Sequence, residues 1–393
     1  AEEASAGATA QRTEAVEAVG GSAIGPGRRP GWDAFLPPEE YRRLGIGGAE
    51  GDEDSIGRAW RLSHVNSDFS LCASYPSLLV VPATVEDKTL HAVSAFRSKG
   101  RIPVLTWVHP LNGSALCRSS QPLSGLNSRY KDDEALIAAI ASAAGHEASN
   151  FAIVDCRSRI AAAGNAMMGK GTESAGHYGV NLVHLDIANI HRMRSSFQRL
   201  HELHARPHRG PDYLRILEEC AWLRHTSSLL RGALACANAM HAHEVSLLVH
   251  CSDGWDRTAQ VCVLTQLLLD PHYRTLRGLA TLIDKDIVAF GHQCRERLGF
   301  DKEHGPYSSE WSPVILQLLD AIWQLLNQFP TAFEFNASAL RYLALAAHAG
   351  RAGQFLYSHD KQREEADVRS TLSSVWPQLE AHRAAFISPA YSA

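Results

Sequence analysis

The chain has 393 residues, 45% of them hydrophobic and 20% charged, with a formal net charge of −4. That is enough apolar material for a sizeable core, in one large unit or in two or three smaller domains. The slight acidity excludes a broadly basic nucleic-acid binder, and no run approaches the roughly eighteen consecutive apolar residues of a membrane-spanning helix. Eight cysteines without a Cys-x-x-Cys pair, behind an N-terminus with no basic-then-apolar signal, read as free thiols in a reducing cytoplasm.

In chain order, residues 1–30 are rich in Ala, Gly and Glu, hold too few large apolar groups to bury, and read as a flexible leader. A short segment from Trp32 to Leu44 follows, and the polar stretch from Gly47 to Asp54 separates it from the main body. Apolar runs at Leu78–Val81, Val104–Val108, Phe151–Val154, Leu182–Leu185 and Val245–Val249 predict strands. Helical spacing is carried by Glu86–Arg97, Asp132–Ala144, Ile190–His204, Tyr213–His241 and Thr258–Leu269. Strands alternating with helices predict an α/β fold with a mainly parallel central sheet covered on both faces. Beyond residue 270 the pattern turns helical, including the apolar stretch from Pro313 to Phe329, so the C-terminal half is expected to be largely helical.

The chemistry concentrates in His250-Cys251-Ser252-Asp253-Gly254-Trp255-Asp256-Arg257-Thr258, between a predicted buried strand and a predicted helix. A helix N-terminus and a nearby guanidinium lower a cysteine pKa, typically to about 3.5 to 7.5. Cys251 has both, which makes it a candidate nucleophile. The backbone from Ser252 through Asp253, Gly254, Trp255 and Asp256 to Arg257 can wrap a phosphate as a nest of donors, and Arg257 adds a planar fork. On this reading the Cys251 thiolate attacks phosphorus, water hydrolyses the thiophosphate, and Thr258 steadies the departing thiolate. The leaving alkoxide needs a proton, and either loop carboxyl can serve. A bound dianion raises the pKa of a carboxyl beside it, and Asp256 is the favoured donor, with Asp253 orienting the substrate or sharing the task. Cys-x5-Arg spacing also arises by chance, in which case Cys251 is an inert buried thiol; the strand before, the helix after and the two carboxyls argue for catalysis. Trp255 either covers the ligand or packs the loop.

Two other patterns compete for attention. Gly164-Asn165-Ala166-Met167-Met168-Gly169-Lys170-Gly171-Thr172 nearly matches a nucleotide-binding loop, but Gly171 stands where a magnesium-binding hydroxyl is required, so it reads as a glycine-bearing loop. His201, Glu202, His204 and His208 lack the spacing of a metalloprotease helix and read as exposed or capping residues.

The stretch from His250 to Gln260 resembles the signature of active myotubularin phosphoinositide 3-phosphatases. The resemblance extends through Leu71-Cys72-Ala73-Ser74-Tyr75-Pro76, Arg101-Ile102-Pro103-Val104-Leu105, Ser120-Gln121-Pro122-Leu123, Asp186-Ile187-Ala188-Asn189-Ile190-His191 and Gln328-Phe329-Pro330-Thr331-Ala332-Phe333. It covers about residues 31–391 and implies a single tyrosine-phosphatase-like domain that removes the 3-phosphate from phosphatidylinositol 3-phosphate and, less surely, from the 3,5-bisphosphate. It implies no metal or other cofactor, a phosphoinositide lipid partner, peripheral attachment to endosomal-type membranes and pairing with itself or another myotubularin. Further ligand contacts carry over onto Asn165, Asn189, Ile190 and Arg297, although both asparagines also suit ordinary turns or helix caps. One departure stands out: where the family supplies a basic ligand after Gly-His, Gly291-His292 is followed here by Gln293. Residues before Trp60 are too few and too polar for the lipid-binding PH-type domain of active relatives. Two rival readings are a non-catalytic phosphoinositide-binding adaptor, which the presence of both Cys251 and Arg257 disfavours, and a protein tyrosine phosphatase, which the loop aspartates disfavour.

Overall fold

The structure is a computed structural model that describes residues 31–47, 56–125, 129–145, 150–205, 210, 212–301 and 308–392. The expected leader and most of the polar break after Gly47 lie outside the described residues. At the centre is a five-stranded sheet in the order β3 (Val104–Val108), β4 (Ala115–Arg118), β7 (Ser246–His250), β5 (Phe151–Asp155), β6 (Asn181–His184). Only the β3–β4 pair is antiparallel; β4–β7, β7–β5 and β5–β6 are parallel. A two-stranded antiparallel pair, β1 (Trp60–Ser63) and β2 (Leu79–Pro82), lies outside that sheet.

Strand alternation sends successive side chains to opposite faces and so builds two cores. Ala152, Val154, Leu247 and Val249 enter one cluster with the C-terminal helices, while Phe151, Ile153 and Leu248 enter the other with Leu90, Val93, Leu136 and Ile140. Those last four belong to the helices Asp87–Phe96 and Lys131–Ala143, which close the second face. Sandwiched strands of this kind must be apolar on both sides, and that is why β5 and β7 read as unbroken hydrophobic runs. The helix Arg257–Leu269 is buried nearly all round, from Thr258 to Leu267, and packs on the helix Trp222–Ala242. After it the chain is helical, including Val314–Gln328 and Ala337–Ala349. Among the described residues no helix is long and apolar enough to cross a membrane.

Three elements depart from the sequence expectation. The single helix expected over Tyr213–His241 is two, Tyr213–Cys220 and Trp222–Ala242, broken at Ala221 with φ +60°. The apolar period runs through the break, but the kink lets Trp222 bury its ring beside Phe197 and donate its indole N–H to Asp320 at 2.7 Å. Strands β1 and β4 were not expected; β4 ends in Arg118, whose charge hides an interior strand until its partner Asp286 is known. All eight cysteines are buried and none forms a disulfide.

Candidate active site

Strand β7 delivers Cys251 to the C-terminal edge of the sheet, and the helix Arg257–Leu269 begins at the arginine of the same loop. Between them Gly254 adopts φ +77°, and a Cβ there would lie 2.2 Å from the Ser119 carbonyl oxygen. Only glycine fits. Two buried arginines hold its carbonyl: Arg101 donates to Gly254 O at 2.9 Å and Arg118 at 3.1 Å. The Gln121 amide donates to Ser252 O at 3.0 Å. With its carbonyls restrained from behind, the loop turns its amides forward, and among the described residues no protein acceptor meets the consecutive N–H groups from Ser252 to Arg257. A row of unpaired donors at a helix N-terminus is an anion site in the making. If the loop is catalytic, Gly254→Ala is therefore expected to cut turnover by roughly 10²-fold through displacement of this cradle, alongside a lower melting temperature, read by steady-state kinetics and thermal unfolding.

Cys251 is almost wholly buried. Burial pushes its thiol up, but the Arg257 guanidinium and the hydroxyl and amide of Thr258 outweigh that and hold it below the ordinary cysteine value. The Arg257 fork is loosely held, with 3.4 Å contacts to Ile187 O and Ser252 Oγ, so it is available to an incoming oxyanion.

The two loop carboxyls sit in different surroundings. Asp256 accepts two hydrogen bonds from Arg297, at 3.1 and 2.9 Å, and lies 3.2 Å from His292 Nδ1, which also donates to the Trp255 carbonyl. Burial raises its pKa, but Arg297 and His292 overcome this and hold it well below the usual carboxylate range. In the ligand-free protein Asp256 is thus a clamped carboxylate, although a dianion was expected to favour its protonated form. Asp253 is half-buried and accepts from the Ser98 hydroxyl at 2.7 Å.

Beneath the loop runs a buried charge network of which the sequence gives little local sign. Glu173 lies 2.9 Å from His250 Nε2 and also pairs with Arg97, which in turn makes a fork to Asp133. Burial opposes a charge on His250, but Glu173 and Asp155 outweigh it and raise the imidazole above its ordinary value. Arg157 binds Asp155 through a fork and donates to Gln121 and, at 2.8 Å, to Gly171 O. These arginines and Glu173 brace the loop from below, and only their burial identifies them. A charged residue at the end of an apolar run, as at Arg118, is the one signal the sequence offers.

The remaining expected contacts have the following surroundings. Asn189 accepts from the Arg192 amide at 3.0 Å and caps the helix Ile190–His204, so its side chain does the work of an N-cap. The Ile190 carbonyl accepts from Ser312 at 3.0 Å. Asn165 lies in the last turn of the helix Arg159–Ala166, with no protein hydrogen bond to its side chain among the described residues. Arg297, expected to meet substrate, engages Asp256 and Glu310. Gln293 donates to the Gly291 carbonyl at 3.0 Å. The Trp255 ring is half-buried, with Arg101 5.8 Å from its centroid. His201 and His204 are exposed, and His208 lies outside the described residues.

Comparison with known proteins gives this geometry a lineage. A model described as the myotubularin-like phosphatase domain matches residues 22–364. The chain is 39% identical over 365 residues to myotubularin of Xenopus tropicalis, covering 92% of this chain and 59% of that protein. It is 39% identical over 369 residues to the phosphatidylinositol-3-phosphate phosphatase MTMR7 of Homo sapiens, covering 93% and 54%. With the phosphatidylinositol-3,5-bisphosphate 3-phosphatase MTMR6 of Mus musculus it shares 40% identity over 367 residues, 93% and 57% of the two chains. The chain thus spans between half and two thirds of the length of these curated relatives, and it belongs to the family of the myotubularin-like phosphatase domain.

Proposed function

We propose that this chain hydrolyses the D3 phosphate of phosphatidylinositol 3-phosphate, and less readily that of the 3,5-bisphosphate, through a phosphocysteine intermediate. The observation that carries this reading is the run of unpaired loop amides from Ser252 to Arg257 around a thiol that Arg257 and Thr258 hold below its ordinary pKa. Those amides and the Arg257 fork bind the phosphoryl oxygens. The Cys251 sulfur attacks phosphorus in line, an S–P bond forms, and the bond from phosphorus to the inositol oxygen breaks. Asp256 gives that oxygen its proton. Water then attacks phosphorus, the thiolate departs toward Thr258, Asp256 takes back a proton, and inorganic phosphate leaves. No cofactor enters the scheme. Asn165, Asn189 and Ile190 line the approach for the inositol ring, and Asp253, Gly254 and Trp255 shape its floor. The same reading puts the protein on the cytoplasmic face of endosomal-type membranes, bound peripherally to its lipid, and gives it a partner in a second copy or another myotubularin.

The test is phosphate release across a panel of all phosphoinositides beside a phosphotyrosine peptide, in the presence of chelator. Fastest release from phosphatidylinositol 3-phosphate is expected. Binding without release would favour the adaptor, and faster release from the peptide would favour the protein phosphatase. Gln293 sharpens the expectation, because a neutral amide already bonded to Gly291 O brings no charge to a second phosphate. Gln293→Lys is expected to raise kcat/KM on the 3,5-bisphosphate relative to the monophosphate by roughly tenfold, the worth of one charge-assisted hydrogen bond. An unchanged ratio would take Gln293 out of the specificity argument.

A further inference from the structure

The helix Arg159–Ala166 and its continuation through Met167 carry an apolar stripe that faces the wrong way for a soluble domain. Ile160, Ala163, Gly164, Met167 and Met168 fall at i, i+3, i+4, i+7 and i+8, the pattern that normally seats a helix on a core. Here all five are exposed, Ile160 by 86%, Met167 by 82% and Met168 by 69%, and Ala162 is the helix's one buried residue. Isolated exposed apolar side chains are ordinary, whereas a contiguous apolar helix face in water marks an interaction surface.

Its surroundings say what it meets. From residue 159 to 171 the sequence holds no acidic residue but carries Arg159 and Lys170 at the two ends of the stripe. An apolar face flanked by cations suits the boundary between anionic headgroups and acyl chains, and methionine adapts to a disordered apolar medium. The helix is also fixed to the catalytic loop. At its base Arg157 grips Gly171 O on the returning chain and the side chain of Gln121, whose backbone amide holds Ser252 O. Asn165, a proposed inositol contact, is on the same helix.

We infer that the Ile160–Met168 face inserts into the bilayer interface at the mouth of the site, so that a lipid substrate is presented without leaving its membrane. The identity of the occupant rests on the phosphoinositide reading; the exposed face does not. Met167→Asp and Met168→Asp together, and separately Ile160→Asp, are to be compared with the unaltered chain in two assays. One is co-sedimentation with phosphatidylcholine and phosphatidylserine vesicles, with and without phosphatidylinositol 3-phosphate. The other is turnover of the same lipid in vesicles and as a dihexanoyl form below its micelle concentration. Expected are a fall of about tenfold or more in vesicle binding and vesicle turnover, unchanged turnover of the soluble form, and recovery in the Met167→Leu, Met168→Leu protein. Equal loss on both substrates, undiminished vesicle binding, or a dimer seen by ultracentrifugation that the aspartates dissociate would each overturn the proposal. Should the soluble lipid not be turned over at all, the enzymatic reading fails, while binding to vesicles free of phosphoinositide still reports on insertion.

Discussion

Replacing Cys251 with serine is expected to reduce phosphate release to background, and replacing Arg257 with alanine to lower it by roughly 10³-fold, the upper range for losing one preorganised donor to a developing charge. The two losses have different origins. At neutral pH a serine hydroxyl stays protonated, and the adjacent histidine is not placed to remove its proton: His250 points its Nε2 at Glu173 and its Nδ1 lies 3.1 Å from the Cys251 carbonyl oxygen. Arg257→Ala keeps the sulfur but deletes the charge that most offsets its burial, so the thiol pKa climbs as the phosphate clamp is lost. Titrating Cys251 with iodoacetamide across pH separates these effects. Relative to the unaltered protein, the alkylation midpoint of Arg257→Ala should shift to higher pH. Undiminished turnover in Cys251→Ser would remove the covalent mechanism, and an unmoved midpoint in Arg257→Ala would remove its electrostatic half.

The parts of this candidate site that lie in the Cys251–Arg257 loop were legible because they are local. A buried strand, a sharp loop with glycine, and a helix that starts on Arg257 all lie within one stretch of sequence, and each has its own signal in composition or period. The elements that hold the loop in place were not legible, because their partners are distant in the chain. Arg101 and Arg118 converge on one carbonyl from the segment before β3 and from β4, and Glu173 reaches His250 from the loop after the helix Arg159–Ala166. A buried charge looks like a surface charge until the fold supplies its counter-ion. The break at Ala221 was invisible for a related reason: alanine is the best helix former, and its left-handed φ accompanies the burial of Trp222 against residues distant in the chain. The Ile160–Met168 stripe shows the reverse situation. Its helical period is plain in the sequence, yet only the structure reveals that among the described residues no core receives it.

The clamp on Asp256 has a consequence for the pH dependence of turnover. A general acid must carry a proton when substrate arrives, yet Arg297 and His292 keep the free carboxyl ionised far below neutrality. Substrate resolves the conflict if Arg297 turns from Asp256 to the phosphate, since the carboxyl then loses its main counter-charge and gains a dianion for a neighbour, both of which raise its pKa. The profile of kcat/KM reports the free enzyme and that of kcat the complex. The signs follow from the proposed role: as proton donor Asp256 is productive when protonated, so its alkaline limb should fall at lower pH in kcat/KM than in kcat. On the same proposal the Cys251 thiolate is expected to set the acid limb, on the low side of an ordinary thiol. Substrate phosphate titrates in the same window, with a second pKa near about 6, so the comparison must be made between variants. Asp256→Asn is expected to lower kcat by roughly 10²- to 10⁴-fold and to flatten its alkaline limb, while Asp253→Asn keeps the limb. Arg297→Ala should weaken substrate binding and move the alkaline limb of kcat/KM upward, because it frees Asp256 before substrate arrives. If Asp253→Asn flattens the limb and Asp256→Asn does not, the proton comes from Asp253, and Asp256 serves as the anchor that holds Arg297 at the site.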